Sequence, residues 1–224
     1  TAIRRQRQMC IRDRVWAENN TRESIYEAFR RKETFATSGS RIKVRFFGGY
    51  NLEKILEEGD PIKYAYANAS SMGSDILQNQ NQVPEFMVWA IRDLKRAPLD
   101  RVQIIKGWTE LSGKPHEKVY DVACSDGRKA NIKTGLCKDS RAKVNLSNCK
   151  ISKNFGADEL KVVWKDPDFN PNLKAFYYVR VLENPTCRWS TWDAIKSGEK
   201  PRGDLPSTIQ ERAWTSPIWL SLIH

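Results

Sequence analysis

Histidine is almost absent from this chain. Only two are present, and His224 is the last residue, so His116 is the single imidazole in the body of the sequence. Catalytic zinc and iron sites usually draw on several imidazoles, and a complete His-rich metal centre cannot be assembled from these residues alone. Cysteine is sparse as well. Cys124, Cys137, Cys149 and Cys187 lie in the body of the chain, and none shows the paired close spacing of a zinc knuckle. The first three flank a polar, Lys-rich loop, which suits a disulfide in an oxidising compartment as readily as it suits free thiols. Apolar runs are short, and none approaches the roughly 20 residues needed to cross a bilayer. No internal repeat is evident, and "NQNQ" reads as a polar loop tip.

A single basic stripe is missing too. The formal charge is +11, but part of it sits at the ends. One DNA duplex, read in its two directions, can encode Arg4–Asp13 on one strand and Leu220–His224 on the other. Both ends therefore resemble translated transposase adapter around a genomic fragment, with coincidence among degenerate codons as the alternative. On that ground residues 1–14 and 220–224 are set outside the fold, as tails. Taking five arginines and one aspartate from the 38 basic and 27 acidic residues lowers the excess to +7. The remaining Lys and Arg are scattered among carboxylates with no docking motif, which argues against a nucleic-acid partner, and no membrane partner is expected either. Oligomeric state is not legible.

What is present is periodicity. "NNTRESIYEAFRRKE" is the clearest helix, with Asn20 as its cap, Glu23 closing a capping box and Ile25, Ala28 and Phe29 on its apolar face. From there the period changes to two. "TFAT", "RIKVRFFG", "EFMVWAI", "RVQIIKGW", "KVYDVAC", "ELKVVW" and "AFYYVRVL" read as strands, with Gly48-Gly49 ending the second and clusters such as "SDGR" and "DPDFNPN" between others. Such short, punctuated strands predict a mainly β fold with a few helices, an antiparallel sandwich-like domain. Residues 183–219 are Pro-rich, Trp-rich and weakly periodic, an irregular tail expected to pack along another surface.

The strings "KETFATSGSRIKVRFFGGY", "LDRVQIIKGW", "VYDVACSDGR", "VVWKDPDFNPNLKAFYYVRVLENPTCRWSTWDA" and "IQERAWTSPIW" resemble, in order, the C-terminal third of the domain-of-unknown-function 3604 family. The resemblance implies a large bacterial protein. Its upstream part is similar to the PHP (polymerase and histidinol phosphatase) group of metal-dependent phosphoesterases, with divalent metal ions at the mouth of a (β/α) barrel. The "DLHVHTS"-like and "TDH"-like segments that would hold them are not in this chain. On that basis residues 15–40 would be the end of the barrel, 41–182 the sandwich-like domain, and 183–219 a tail folding back on the barrel. The chain's partner would be its own upstream barrel, the compartment periplasmic or extracellular, and this segment inactive alone, without cofactor of its own.

Within that frame "PTCRWSTWDA" and "QERAW" hold the substrate-facing candidates. Arg188 and Arg212 would clamp an oxyanion, Trp189, Trp192 and Trp214 would form flat walls, and Asp193 and Glu211 would orient. The alternative is a clasp in which the arginines pair with the acids and tryptophan fills a seam. "TSG", residues 37–39, reads as a turn in preference to a phosphate-facing loop, His116 as a surface residue in a turn, and Arg180 with Glu183 as an ion pair. A second functional reading, a carbohydrate-binding sandwich, is weakened because Trp89, Trp164, Tyr177 and Tyr178 lie inside apolar strands, where aromatics serve the core. A purely structural capping domain is the third.

Overall fold

A computed structural model describes residues 12–77, 79, 81–152 and 154–221. Among the described residues the fold is mainly β and antiparallel, with three helices and no barrel closure. The strands read from the period-two pattern all form: β2 (Thr34–Thr37), β3 (Lys43–Gly49), β6 (Glu85–Ile91), β7 (Leu99–Thr109), β8 (Pro115–Cys124), β11 (Glu159–Lys165) and β12 (Ala175–Glu183). Short strands β4 (Ser70–Ser71), β5 (Asp75–Leu77), β9 (Val144–Asn145) and β10 (Lys150–Ile151) fill the connections. None of the three helices is long and apolar enough to cross a membrane.

Two sheets face each other. In the larger, β8 pairs β7 and β7 pairs β12; the far side of β12 is shared by β15 (Arg212–Thr215) and β16 (Ile218–Ser221). From β15 the sheet continues through β2 to β1 (Arg12–Val15), while β16 pairs β5 in parallel. The smaller sheet runs β11, β6, β3, β4. Alternation on β12 buries Ala175, Tyr177, Val179, Val181 and Glu183 and leaves the intervening residues half-buried, as a strand with one face in a core must. Those aliphatic and aromatic side chains meet Val44, Phe46, Phe86 and Val88 of the smaller sheet in one apolar cluster. The outer face of the smaller sheet is covered by a 3₁₀ turn (Ile55–Glu57) and helix α2 (Pro61–Asn68), which bury Phe47 and Met87 against Leu52, Ile55 and Ala65.

Several expectations are corrected by the geometry. Helix α1 (Arg22–Arg30) is capped by Thr21, whose hydroxyl accepts from Ser24 N at 3.2 Å, and not by Asn20. Glu23 is then one residue too early for a capping box. Its face is thinly covered: Ala28 is buried, Tyr26 and Phe29 are exposed. Gly48 and Gly49 are the last two residues of β3, paired with Phe86 and Glu85 of β6, and the strand ends there as expected; a Cβ on Gly48 would lie 2.7 Å from Ile76 Cδ1. Of the four strand aromatics, Trp164 and Tyr177 join the core, whereas Trp89 packs on the opposite side of the smaller sheet and Tyr178 on the outer face of the larger one. His116 stands in β8 opposite Trp108 and stacks on it, ring centroids 5.2 Å apart, with Glu110 Oε1 2.6 Å from Nε2.

The stretch expected to be an irregular tail is the largest departure. It carries β13 (Thr186–Cys187), helix α3 (Trp189–Ser197), β14 (Thr208–Ile209), β15 and β16. Backbone groups of residues 212–215 bond to β12 on one side and β2 on the other, which a chain lying loosely on a surface could not satisfy. The residues set outside the fold as tails are also partly inside it. Arg12–Val15 pairs β2, and Leu220 is buried against β12 and β5. Residues 1–11 and 222–224 lie outside the described residues. The four cysteines among the described residues form two disulfides, Cys124–Cys137 and Cys149–Cys187; the second fastens the tail to the loop before β11.

Candidate functional site: a cleft at one end of the sandwich

The tail and the β2–β3 connection meet at the end of the sandwich where β12 stops. There they enclose an open cleft of about 420 Å³. Ser38 and Gly39 form one side, Glu211 the floor, and α3 the other side with Trp189, Trp192, Asp193 and Lys196; Arg96 and Arg12 reach its rim. Four of the seven substrate-facing candidates therefore come together: Trp189, Trp192, Asp193 and Glu211. Along α3 the residues 189, 192, 193 and 196 have the i, i+3, i+4, i+7 spacing of one helix face. That stripe faces the cleft, while Thr191 turns inward and donates from its hydroxyl to Ser207 O at 2.9 Å. Gly198 ends the helix in the left-handed conformation, φ 72°.

The floor is polar and tight. The Ser38 hydroxyl donates to Glu211 Oε2, and Arg212 N donates to Ser38 Oγ at 2.9 Å. A side chain at Gly39 would press on the Glu211 carboxylate, since its Cβ would stand 3.0 Å from Cδ. "TSG" is thus a turn that also lines the site. Beneath the floor lies Glu183, 0% exposed, with neither carboxylate oxygen in a well-formed hydrogen bond. Ser40 Oγ and Thr37 Oγ1 are buried at this end as well, Ser40 beside the Glu183 carboxyl and neither in a well-formed hydrogen bond. Burial pushes the Glu183 carboxyl up to about 8; the neighbouring Ser40 hydroxyl opposes the shift and the Glu211 and Asp93 charges add to it. The expected Arg180–Glu183 ion pair does not form, because residues three apart on a strand point to opposite faces. Arg180 instead donates from Nε to Gln103 Oε1 at 2.6 Å on the outer face.

Arg188 and Arg212 stand outside the cleft lining. Arg188 caps α3 and donates from Nε to Pro206 O at 3.0 Å, and Arg212 donates to Gln210 O at 3.4 Å with its guanidinium 6.0 Å from the Trp214 ring. Trp214 borders a different hollow, of about 570 Å³, between α1 and the C-terminal strands. That hollow is larger, but Phe29, Phe35, Trp214, Pro217 and Trp219 give it a mainly aromatic wall, with Asp13 and Lys32 its charged residues. Among the described residues no three His, Cys, Asp or Glu side chains gather to hold a metal ion.

Arg96, Lys196 and Glu183 were missed as part of this site in the sequence. Lys196 carried a signal, the helical spacing of "WSTWDAIK". Arg96 carried none, since it sits in a loop about 90 residues before α3.

The family model described as a protein of unknown function (DUF3604) matches residues 12–222. The chain belongs to the DUF3604 family. Nothing matches it among curated proteins or among solved structures. The DUF3604 match takes in Arg12–Arg14 and Leu220–Ser221, the same residues that the large sheet incorporates.

Proposed function

We propose that this chain is the C-terminal accessory part of a larger bacterial hydrolase that depends on divalent metal ions held in an upstream PHP-like barrel. In this reading the end cleft forms one wall of the substrate site. The observation that supports it is convergence: "TSG" and the tail, more than 140 residues apart in sequence, are hydrogen-bonded to one another through Ser38, Glu211 and Arg212 and open a polar cleft between them. Metal hydrolases need groups beyond the metal to orient a substrate and neutralise a developing anion. Glu211, fixed by Ser38, and the cations on the rim are of the type that orients a polar substrate, while the metal would supply the activated water. The two disulfides favour an oxidising compartment, so we place the parent in the periplasm or outside the cell. The barrel is its intended partner; no nucleic acid or membrane enters the reading.

The test uses the full-length parent. It should contain bound divalent metal and hydrolyse phosphate or related esters, whereas the 224-residue chain should not. Glu211→Gln in the parent should lower kcat/KM by about tenfold or more, the equivalent of about 1.4 kcal/mol, with metal content unchanged. A metal-free, inactive parent, or wild-type kinetics in the variant, would remove the cleft from any such chemistry.

A further inference from the structure

The cleft carries a second property, one that does not require the barrel. Trp189 and Trp192 are 49% and 40% exposed although they sit on a helix whose opposite side is anchored to the fold. Indoles at i and i+3 normally turn their shared face toward a core; here they turn it to an open cleft. Scattered exposed apolar side chains need no explanation, but neighbouring large ones edging a concavity mark a binding surface.

Around these rings the polar groups are of both signs and largely uncommitted. Among the described contacts Asp193 makes no side-chain bond, the Arg96 guanidinium makes no close ion pair although it lies near enough to Asp93 and Glu183 to act on both, and Lys196 Nζ lies over the Trp192 ring, 5.3 Å from its centroid. The Glu211 floor accepts the Ser38 hydroxyl, which leaves its second oxygen as a further acceptor. A ligand complementary to this set has an apolar face to lie on indole, hydroxyls to donate to carboxylates, and an anionic substituent to meet Arg96 and Lys196. A nucleotide has the flat face and the charge, but its several phosphates would have to lie against Asp193 and Glu211 as well as the cations, whereas a saccharide need present only a single anionic substituent. An apolar peptide would leave the charged groups of the lining unpaired on burial, which is costly.

We propose that the cleft binds an acidic saccharide, a pyranose ring stacked on Trp192 and Trp189 with its sulfate or carboxylate on Arg96 and Lys196. The arginine fork suits a planar or tetrahedral oxyanion better than a point charge does. This site is distinct from the aromatic strand residues, of which Trp164 and Tyr177 are taken up by the core. It deepens the hydrolase reading only in naming a ligand class for the same cleft, and it is testable without any catalysis.

The experiment is titration calorimetry of the 224-residue chain, with tryptophan fluorescence in parallel. The probes are a chondroitin sulfate tetrasaccharide, tetragalacturonate, cellotetraose and ATP. At least one of the two acidic saccharides should bind about tenfold or more tightly than cellotetraose, with ATP weaker than that saccharide. The sulfated and uronate arms identify which anion is preferred. Trp192→Ala should weaken the preferred saccharide by about tenfold, and Lys196→Ala should bring it close to the neutral one; both positions are exposed on α3, and circular dichroism confirms the fold. No saccharide binding at millimolar concentration, equal binding of the neutral probe, a preference for ATP, or indifference to Trp192→Ala would each overturn the proposal. Metal-dependent hydrolysis by the parent is a separate measurement, so either reading can fail without the other.

Discussion

Strand β12 carries a buried polar group toward each of its ends, and the two are treated in opposite ways. Tyr177 and Glu183 point to the same inner face, roughly 20 Å apart at the usual strand rise. At the Tyr177 end everything is paired. Lys106 Nζ donates to Asp166 Oδ2 at 2.6 Å and to Asp168 O at 2.7 Å, and the Tyr177 hydroxyl donates to the same Asp166 oxygen at 2.7 Å. Tyr120 donates to Asp168 Oδ2 at 2.5 Å, and Lys118 pairs with that carboxylate. These bonds, Lys118 first and then Tyr120, hold the Asp168 carboxyl below its ordinary range, while burial drives the Tyr120 and Tyr177 hydroxyls upward. The network ties the "DPDFNPN" turn to the sheet. At the Glu183 end, by contrast, a carboxyl, a serine and a threonine are buried with no well-formed side-chain bond and no counter-ion in contact among the described residues, next to Glu211 of the cleft. Satisfied polar networks make structure, and unsatisfied buried groups gather where a protein gives up stability for another purpose. The contrast is why the cleft, and not the equally polar Lys106 site, is the functional candidate.

Breaking the paired end should have the largest effect. Asp166→Ala strips the buried Lys106 ammonium of its counter-ion and Tyr177 of its acceptor. A loss of about 3–5 kcal/mol in denaturant unfolding at neutral pH is expected, as for other buried pairs deprived of one partner. A loss under about 1 kcal/mol would mean that the network is loosely held and that the contrast with the Glu183 end fails.

The unpaired end should respond to pH instead. Glu183 has a folded pKa of about 8 against an ordinary 4.5, so between those values the native state keeps a proton that the unfolded chain releases. Stability contributed by this group is therefore whole below about pH 4.5 and falls by about 1.4 kcal/mol per pH unit as pH rises toward 8. In Glu183→Gln that slope should vanish. The stability difference, variant minus wild type, should grow by about 3–4 kcal/mol from about pH 5 to about pH 8. Parallel pH profiles for the two proteins would show that Glu183 is solvated and paired like an ordinary surface acid.

The smallest effects should come from the two arginines that the sequence placed at the substrate lip. Arg188→Lys and Arg212→Lys each exchange one hydrogen bond to a carbonyl outside the cleft, and each should change stability by about 0.5 kcal/mol or less. Saccharide binding by either variant should match wild type within about twofold. A tenfold loss of binding in either would return that arginine to the site and redraw the cleft.

Much of this was readable in advance, and the failures have physical causes. Seven strands were visible because each buries one face, which writes a period of two into the sequence. The tail was misread because β15 and β16 are four residues each, too short to show a period. Their strand conformation is imposed by hydrogen bonds to β12 on one side and to β2 or β5 on the other. Trp189, Trp192, Asp193 and Glu211 were singled out by residue type and do meet at one cleft. Arg188 and Arg212 were chosen by the same logic and point elsewhere, since residue type does not encode direction. Glu183 was assigned a partner three residues away, which helical spacing would permit and strand alternation forbids.

Composition and periodicity by themselves determined the class of this protein: mainly β and antiparallel. Those features are local, since burial on one face constrains each strand within its own few residues. The cleft, the pairing of Cys149 with Cys187 and the isolation of Glu183 were decided by tertiary structure alone. Each depends on contacts between segments far apart in the chain, and nothing in the spacing of residues along a strand specifies which distant segment will lie beside it.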